Sequence, residues 1–140
     1  MRRANGFTLL EALASMVLAG ILAGMGTTRL PALVSGLRVN GAAHGVATTL
    51  RLARGRALAG GRAVEVRFDA ASTSVETRWQ AGATIETTRL PAGVTFAGMP
   101  ASGRILLSGV GTAQNGTVTL GAGTSRRDVI VNQRGRVRVQ

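Results

Sequence analysis

An apolar run near the N-terminus constrains this chain more than any other feature. In residues 7–25, nineteen positions in all, Glu11 is the only ionisable side chain. A helix rises about 1.5 Å per residue, so the run spans about 28 Å, close to the roughly 30 Å hydrocarbon thickness of a bilayer. We therefore predict a transmembrane helix over residues 7–30. Arg2 and Arg3 precede it, and this short positive head predicts an N-terminus in the cytoplasm.

A cleavable secretory signal peptide is the plain alternative. Its small-residue cleavage site would fall within Ala-Gly-Met-Gly at residues 23–26. Two features argue against a signal peptide: the apolar run is long enough to span a bilayer, and it contains Glu11. A carboxylate costs about 2.5–3.5 kcal/mol at the centre of a membrane helix, and less near one end. An acid retained in such a segment indicates a function.

The residues around Glu11 resemble a known leader. The sequence GFTLLE at residues 6–11, after a basic head, resembles the class III leader of type IV pilins and type II secretion pseudopilins. The resemblance implies cleavage between Gly6 and Phe7 by a prepilin peptidase, which makes residues 1–6 a leader peptide, and N-methylation of Phe7. It also implies that Glu11 pairs with the N-terminal amine of a neighbouring subunit during filament assembly. An intramolecular role stays open, because Phe7 and Glu11 lie four apart on one helix face.

Composition narrows the chemistry. Cysteine is absent, which excludes disulfides, thiol nucleophiles and cysteine-bound metals. All seventeen basic residues are arginine and only six residues are acidic, a net charge of +11. Such an excess favours an anionic partner, namely nucleic acid, lipid head groups or an acidic protein face, although codon composition also explains the preference for arginine. His44 is the only histidine and has no evident aspartate partner, so we predict no enzymatic activity, no metal and no cofactor.

Beyond the span we predict a helix over residues 31–60, with a kink or break at Pro31. Its apolar stripe is predicted from helical spacing: Leu33, Leu37, Val46, Leu50, Ala53, Ala57 and Leu58. Residues 61–140 then alternate with period two, as strands do. The predicted strands are 62–69, 74–79, 84–88, 94–97, 104–107, 117–120, 128–131 and 136–139, with the longest loops at 108–116 and 121–126. The predicted fold class is α+β, a long N-terminal transmembrane and amphipathic helix packed on a C-terminal antiparallel β-sheet domain.

The C-terminus concentrates positive charge. Residues 132–135 read as a hairpin turn in which Gly135 supplies positive φ. Arg136 and Arg138 then project from one face, about 6.6 Å apart at strand rise, with Arg134 beside them at the turn. Guanidinium groups form planar forks that suit phosphate. The alternative is that arginines on an edge strand only keep that edge soluble.

Two segments resemble the GspH/FimT group of minor pilins and minor pseudopilins: LRLARGRAL at residues 50–58 and DVIVNQRGRVR at residues 128–138. The resemblance implies a type IV pilin-like fold, a single-pass inner-membrane protein with its C-terminal domain in the periplasm, and other pilin subunits as partners in a pilus or pseudopilus. Relatives often carry proline where this chain has Thr28. In FimT-type minor pilins a terminal Gly-Arg-x-Arg motif is associated with DNA binding in natural transformation, and Gly135, Arg136 and Arg138 match it.

Two classes of function therefore remain. One is a minor type IV pilin that binds double-stranded DNA, and the other is a structural minor pseudopilin of a type II secretion system. Docking on anionic lipid or polysaccharide is a third, weaker reading. Beyond the predicted span the aromatic residues are Phe68, Trp79 and Phe96, too few for a stacking platform. DNA contacts would then be to phosphates, without sequence preference and strongly dependent on salt.

Overall fold

The computed structural model describes residues 8–27, 30–80 and 82–140. The chain divides into two compact units, Met1–Leu33 and Val34–Gln140. The predicted leader, the cleavage junction between Gly6 and Phe7, and the position of Thr28 lie outside the described residues.

Helix α1 runs from Leu9 to Thr27 in the first unit. Thr8 caps it, because its Oγ1 accepts the Glu11 N–H at 3.3 Å and its carbonyl accepts the same N–H at 3.1 Å. A threonine followed three residues later by glutamate is the capping-box sequence, which the sequence analysis did not identify. Every side chain of residues 8–24 is exposed. Among the described residues, no helix has both the length and the apolar character needed to cross a bilayer, so the transmembrane prediction is not confirmed.

Helix α2 runs from Leu30 to Gly60, with Pro31 in its first turn, where the missing N–H has no helical partner to lose. Its buried face consists mainly of alanine and valine at helical spacing: Val39, Ala42, Ala43, Val46, Ala47, Leu50, Ala53 and Ala57. Four of the residues predicted for the apolar stripe are buried, which confirms the prediction for Val46, Leu50, Ala53 and Ala57.

The stripe prediction is wrong for Leu33, Leu37 and Leu58, which are 61%, 65% and 48% exposed. Leu37 precedes the buried Val39 by two residues, or about 200° around the helix axis, so the two point in opposite directions. The buried face is built mainly from small side chains, and these let the helix approach the sheets closely.

Within the described residues, eight strands form two four-stranded antiparallel sheets, where the sequence suggested a single antiparallel sheet. Sheet A has the order β3-β2-β1-β5 and sheet B the order β4-β6-β7-β8. The strands are β1 Val64–Asp69, β2 Ser74–Trp79, β3 Thr84–Arg89, β4 Thr95–Gly98, β5 Arg104–Leu107, β6 Gly116–Ala122, β7 Ser125–Val131 and β8 Val137–Val139. The inner faces of both sheets and the alanine face of α2 enclose one core.

The predicted loop at residues 121–126 is wrong, because β6 and β7 extend into it. Gly121 pairs with Arg126, and only Gly123 and Thr124 connect the two strands. Gly123 has a φ of +56°, a conformation that favours glycine. Gly121 lies inside β6, and a Cβ there would meet the Cβ of Ala97 at 3.4 Å, an ordinary van der Waals contact.

Candidate functional site

The hairpin that joins β7 to β8 carries the C-terminal arginines. The N–H of Asn132 donates to the carbonyl of Arg136 at 3.1 Å, and the N–H of Gly135 donates to the carbonyl of Asn132 at 2.8 Å. The side-chain Oδ1 of Asn132 accepts the N–H groups of Arg134 at 3.1 Å and Arg136 at 2.9 Å. One asparagine side chain therefore fixes the backbone beneath two of the arginines.

Gly135 is required by both conformation and space. Its φ is +68°, in the left-handed region. A Cβ there would lie 2.6 Å from Nε of Arg54 and 2.7 Å from the carbonyl oxygen of Gly111. Real Cβ atoms do not approach other atoms so closely, so the turn is packed directly against α2 and against the loop that contains Gly111.

Two arginines of α2 hold this hairpin. Nε of Arg54 donates to the carbonyl of Gly111 at 3.1 Å, and Nη2 of Arg51 donates to the carbonyl of Val137 at 3.2 Å. Val137 opposes Val131 between two hydrogen-bonded positions of the ladder, so its carbonyl points away from β7. The helix thus supplies a donor to the open edge of β8. Neither contact follows from sequence spacing, because Arg51 and Arg54 are more than fifty residues from the segments they contact.

The valine and arginine side chains of the hairpin lie in different surroundings. Val137 and Val139 pack against the core, whereas Arg134, Arg136 and Arg138 are exposed. In the described part of the chain, no carboxylate forms an ion pair with any of these three guanidinium groups. Four of the predicted site residues, namely Arg134, Gly135, Arg136 and Arg138, therefore lie in one turn and strand start that exposes three guanidinium groups, and we call it the arginine hairpin.

Two concavities flank Arg136. The first has a volume of about 350 Å³ and is lined by Asn115, Asn132, Gln133, Arg134 and Arg136. The second has a volume of about 200 Å³ and is lined by Ile130, Asn132, Arg136, Arg138 and Gln140. The amide side chains in these linings were missed by sequence reasoning. Asn132 had a detectable signal, since asparagine favours the start of a turn, but Asn115 lies seventeen residues earlier in the chain.

Charge is distributed unevenly between the sheets. Within the described residues, the strands of sheet A carry four arginines and four acids, so they are balanced. Sheet B with its β7–β8 turn carries Asp128 as its one acid against five arginines: Arg126, Arg127, Arg134, Arg136 and Arg138. The acids of sheet A are also engaged. Glu65, which is 4% exposed, accepts Arg67 at 2.7 Å and Arg104 at 3.3 Å, and Glu86 accepts Arg56 at 3.0 Å.

Hydrogen bonds in the turn after β1 lower the pKa of Asp69. The hydroxyl of Ser72 donates to its carboxylate and the N–H of Ala71 donates at 2.9 Å, and these two bonds, in that order, hold the pKa of Asp69 below its usual range. This exposed turn lies at the end of β1, in sheet A, and is separate in sequence from the arginine hairpin.

The other predicted site residues are Gly6, Phe7 and Glu11. Gly6 and Phe7 lie outside the described residues, and Glu11 lies in the first turn of α1 in the other unit. His44 is exposed on α2, and the described residues contain no group of three or more side chains suited to a metal ion.

The aromatic side chains are engaged within the domain. Phe68 is buried and meets Phe96 edge-on, with ring centroids 5.9 Å apart. Trp79 packs against the core and lies under the guanidinium of Arg62 at 5.3 Å.

Known proteins resemble the chain in both sequence and fold. Residues 1–27 match the prokaryotic N-terminal methylation motif, and residues 42–135 match the family described as type II transport protein GspH. No curated protein matches the chain. Among solved structures, the type IV minor pilin FimU of Pseudomonas aeruginosa is 18% identical with a TM-score of 0.62, covering 73% of this chain and 87% of its own.

The minor pseudopilin EpsH from the type 2 secretion system of Vibrio cholerae is also 18% identical, with a TM-score of 0.59, covering 74% of this chain and 96% of its own. At this identity the likeness shows the fold, and it confirms the predicted pilin-like α+β class. The GspH match extends over more than half of the 140 residues and begins within α2, and the methylation motif precedes it. The chain therefore belongs to the GspH family of pilin-like and pseudopilin-like proteins.

Proposed function

We propose that the chain is a non-enzymatic minor pilin that is processed by prepilin peptidase between Gly6 and Phe7, methylated on Phe7 and assembled into a type IV filament. The match to the N-terminal methylation motif supports the processing step. Glu11 then pairs with the N-terminal amine of a neighbouring subunit and sets the register of assembly.

The surface of α1 supports an anchoring and assembly role for this segment. Eight large apolar side chains of the helix are more than half exposed: Leu9, Leu10, Leu13, Met16, Val17, Leu18, Ile21 and Leu22. An apolar surface of this extent requires a partner. In the proposal, residues 7–30 meet the inner membrane before assembly and the helices of other subunits afterwards, with residues 61–140 in the periplasm.

We further propose that the arginine hairpin binds double-stranded DNA through its phosphates, serving DNA uptake in natural transformation. One observation carries this proposal, the five arginines against a single acid on sheet B, beside a balanced sheet A. Guanidinium groups held on a fixed backbone form bidentate contacts with phosphate oxygens. Since the aromatic rings are engaged within the domain, binding is expected to be without sequence preference.

Duplex binding by the full chain in mild detergent, measured by fluorescence anisotropy over a salt series, tests the proposal. We expect binding whose logarithm falls linearly with the logarithm of salt concentration. The double variant Arg136→Gln/Arg138→Gln should weaken binding to all sequences alike and flatten the slope by about one to two units, at about 0.9 per lost phosphate contact.

A matched control removes the same amount of positive charge, but from residues near sheet A. The variant Arg62→Gln/Arg89→Gln removes the same two charges from that part of the chain. It should leave the slope nearly unchanged. An equal loss in the two double variants would mean that diffuse charge binds the DNA, and absence of duplex binding near physiological salt would remove the DNA proposal.

A structural minor pseudopilin of a type II secretion system is the alternative, favoured by the description of the matching family and by the likeness to EpsH. In that case the domain contacts other minor subunits, and the arginine hairpin is a protein contact or a protected sheet edge. Deletion of the chain in its host distinguishes the two, because loss of transformation favours the DNA-binding pilin and loss of protein secretion favours the pseudopilin.

A further inference from the structure

The two concavities beside Arg136 share one wall. Asn132 and Arg136 line both, while Arg134 lines only the first and Arg138 only the second. Their volumes, about 350 and 200 Å³, lie at or below the small end of the roughly 300–1,000 Å³ typical of ligand pockets. Each therefore suits a single chemical group of a larger ligand rather than an entire small molecule.

The polar groups around both concavities are suited to an anion. Guanidinium groups are donors only, and neither lining includes an aspartate or glutamate side chain among the described residues. The Oδ1 of Asn132 is already occupied by two backbone N–H groups, so its remaining hydrogen-bonding capacity is the NH₂ donor. Asn115 and Gln133 add neutral amides to the first concavity, and Gln140 adds one to the second.

We infer that the arginine hairpin seats two neighbouring phosphates of one nucleic-acid strand, one in each concavity, with Arg136 shared between them. This inference rests on the proposed DNA binding and names how that site engages its ligand. Arg136 immediately precedes β8 and Arg138 lies within it. Two residues of extended chain span about 6.6 Å, a spacing comparable with that of neighbouring phosphates along a nucleic-acid strand. Asn115 then contacts the first phosphate as a neutral donor.

The inference predicts which pairs of arginines act together. Arg134 and Arg136 share the first phosphate, and Arg136 and Arg138 share the second, so each of these pairs should be energetically coupled. Arg134 and Arg138 share none. The fold-loss in affinity of the Arg134/Arg138 double variant should therefore equal the product of the two single-variant losses. For the other two double variants, the measured fold-loss should differ from that product by more than about threefold.

The experiment measures the dissociation constant of the full chain in mild detergent for a fluorescein-labelled duplex of random sequence, using the three single Arg→Gln variants and their three double variants. A neutral variant adds an independent readout. Asn115→Ala removes no charge, yet it should weaken binding on the order of fivefold, because it removes a donor to a charged group. Gln114→Ala is its control, since Gln114 is an adjacent exposed amide that lines neither concavity.

Thermal unfolding of each variant confirms that it is folded before its affinity is compared. The inference of two phosphate positions is supported if the two predicted arginine pairs are coupled and the Asn115→Ala variant loses affinity for the duplex. Losses that multiply in all three pairs, or an Asn115→Ala variant that binds like the Gln114→Ala control, overturn the inference while the DNA proposal stands. A wild-type chain that binds no duplex overturns the DNA proposal itself.

Discussion

Arg54 and Gly135 lie in van der Waals contact across the boundary between α2 and the C-terminal hairpin, so that the guanidinium occupies the space where any larger residue at position 135 would place its Cβ. The same Nε donates to the carbonyl of Gly111 at 3.1 Å. One helix arginine thereby joins three segments that are distant in sequence.

Replacement of Gly135 by alanine should destabilise the fold through two separate effects. The left-handed backbone costs a residue with a Cβ about 1–2 kcal/mol, and the close contacts with Arg54 and Gly111 add about 1–3 kcal/mol for overpacking. Gly123→Ala is the control, because Gly123 also has positive φ but a Cβ there would meet nothing within 4 Å. Urea unfolding of the full chain in mild detergent measures both. Equal destabilisation in the two variants would contradict the close packing at Gly135.

Truncation of Arg54 should partly relieve the Gly135→Ala variant. The nearest contacts of a new Cβ include Nε at 2.6 Å and Cδ at 2.9 Å of Arg54, which the truncation removes, while the carbonyl of Gly111 at 2.7 Å remains. In a cycle of Arg54→Ala and Gly135→Ala, we expect a coupling free energy of about 0.5–3 kcal/mol. Additive free energies of unfolding would show that the two positions do not constrain each other.

The stability of the turn after β1 should depend on pH through Asp69. Its pKa is lowered in the folded state, chiefly by the hydroxyl of Ser72. The carboxylate therefore stabilises the fold above the unfolded pKa, near 3.8, and that contribution is lost as pH falls through the lower folded value. Ser72→Ala should raise the pKa of Asp69, as measured by NMR titration of the carboxyl carbon, and a titration curve unchanged by this substitution would refute the assignment of cause.

Substitution of Glu11 by glutamine should separate charge pairing with a neighbouring subunit from capping of α1. Glutamine retains the hydrogen-bonding side chain of a capping box but removes the charge. If the charge pairs with a neighbouring amine, Glu11→Gln should insert normally and enter filaments poorly, as measured by immunoblotting of sheared filaments. Thr8→Ala is the matched variant, since it removes the Oγ1 cap of α1 and leaves the charge. Normal incorporation of Glu11→Gln would exclude the pairing role.

Sequence patterns located most of the fold because their signals are local. β2 and β5 begin and end where period-two alternation predicted, at Ser74–Trp79 and Arg104–Leu107. The Gly135 turn was predictable because few residues tolerate positive φ. Pattern reading failed at Gly121, because a glycine taken to mark a loop lies inside β6. It also failed at Leu37, where an apolar residue at helical spacing faces outward.

The sequence by itself determined the N-terminal motif, the strand segments, the excess of arginine and the exposure of Arg136 and Arg138, because periodicity, composition and turn chemistry act between neighbours in the chain. Only the tertiary structure decided that the strands form two sheets, that the acids balance sheet A and leave sheet B positive, and that Arg51, Arg54 and Asn115 surround the arginine hairpin. Those relationships join residues far apart in sequence, and they depend on how closely the alanine face of α2 packs on the sheets.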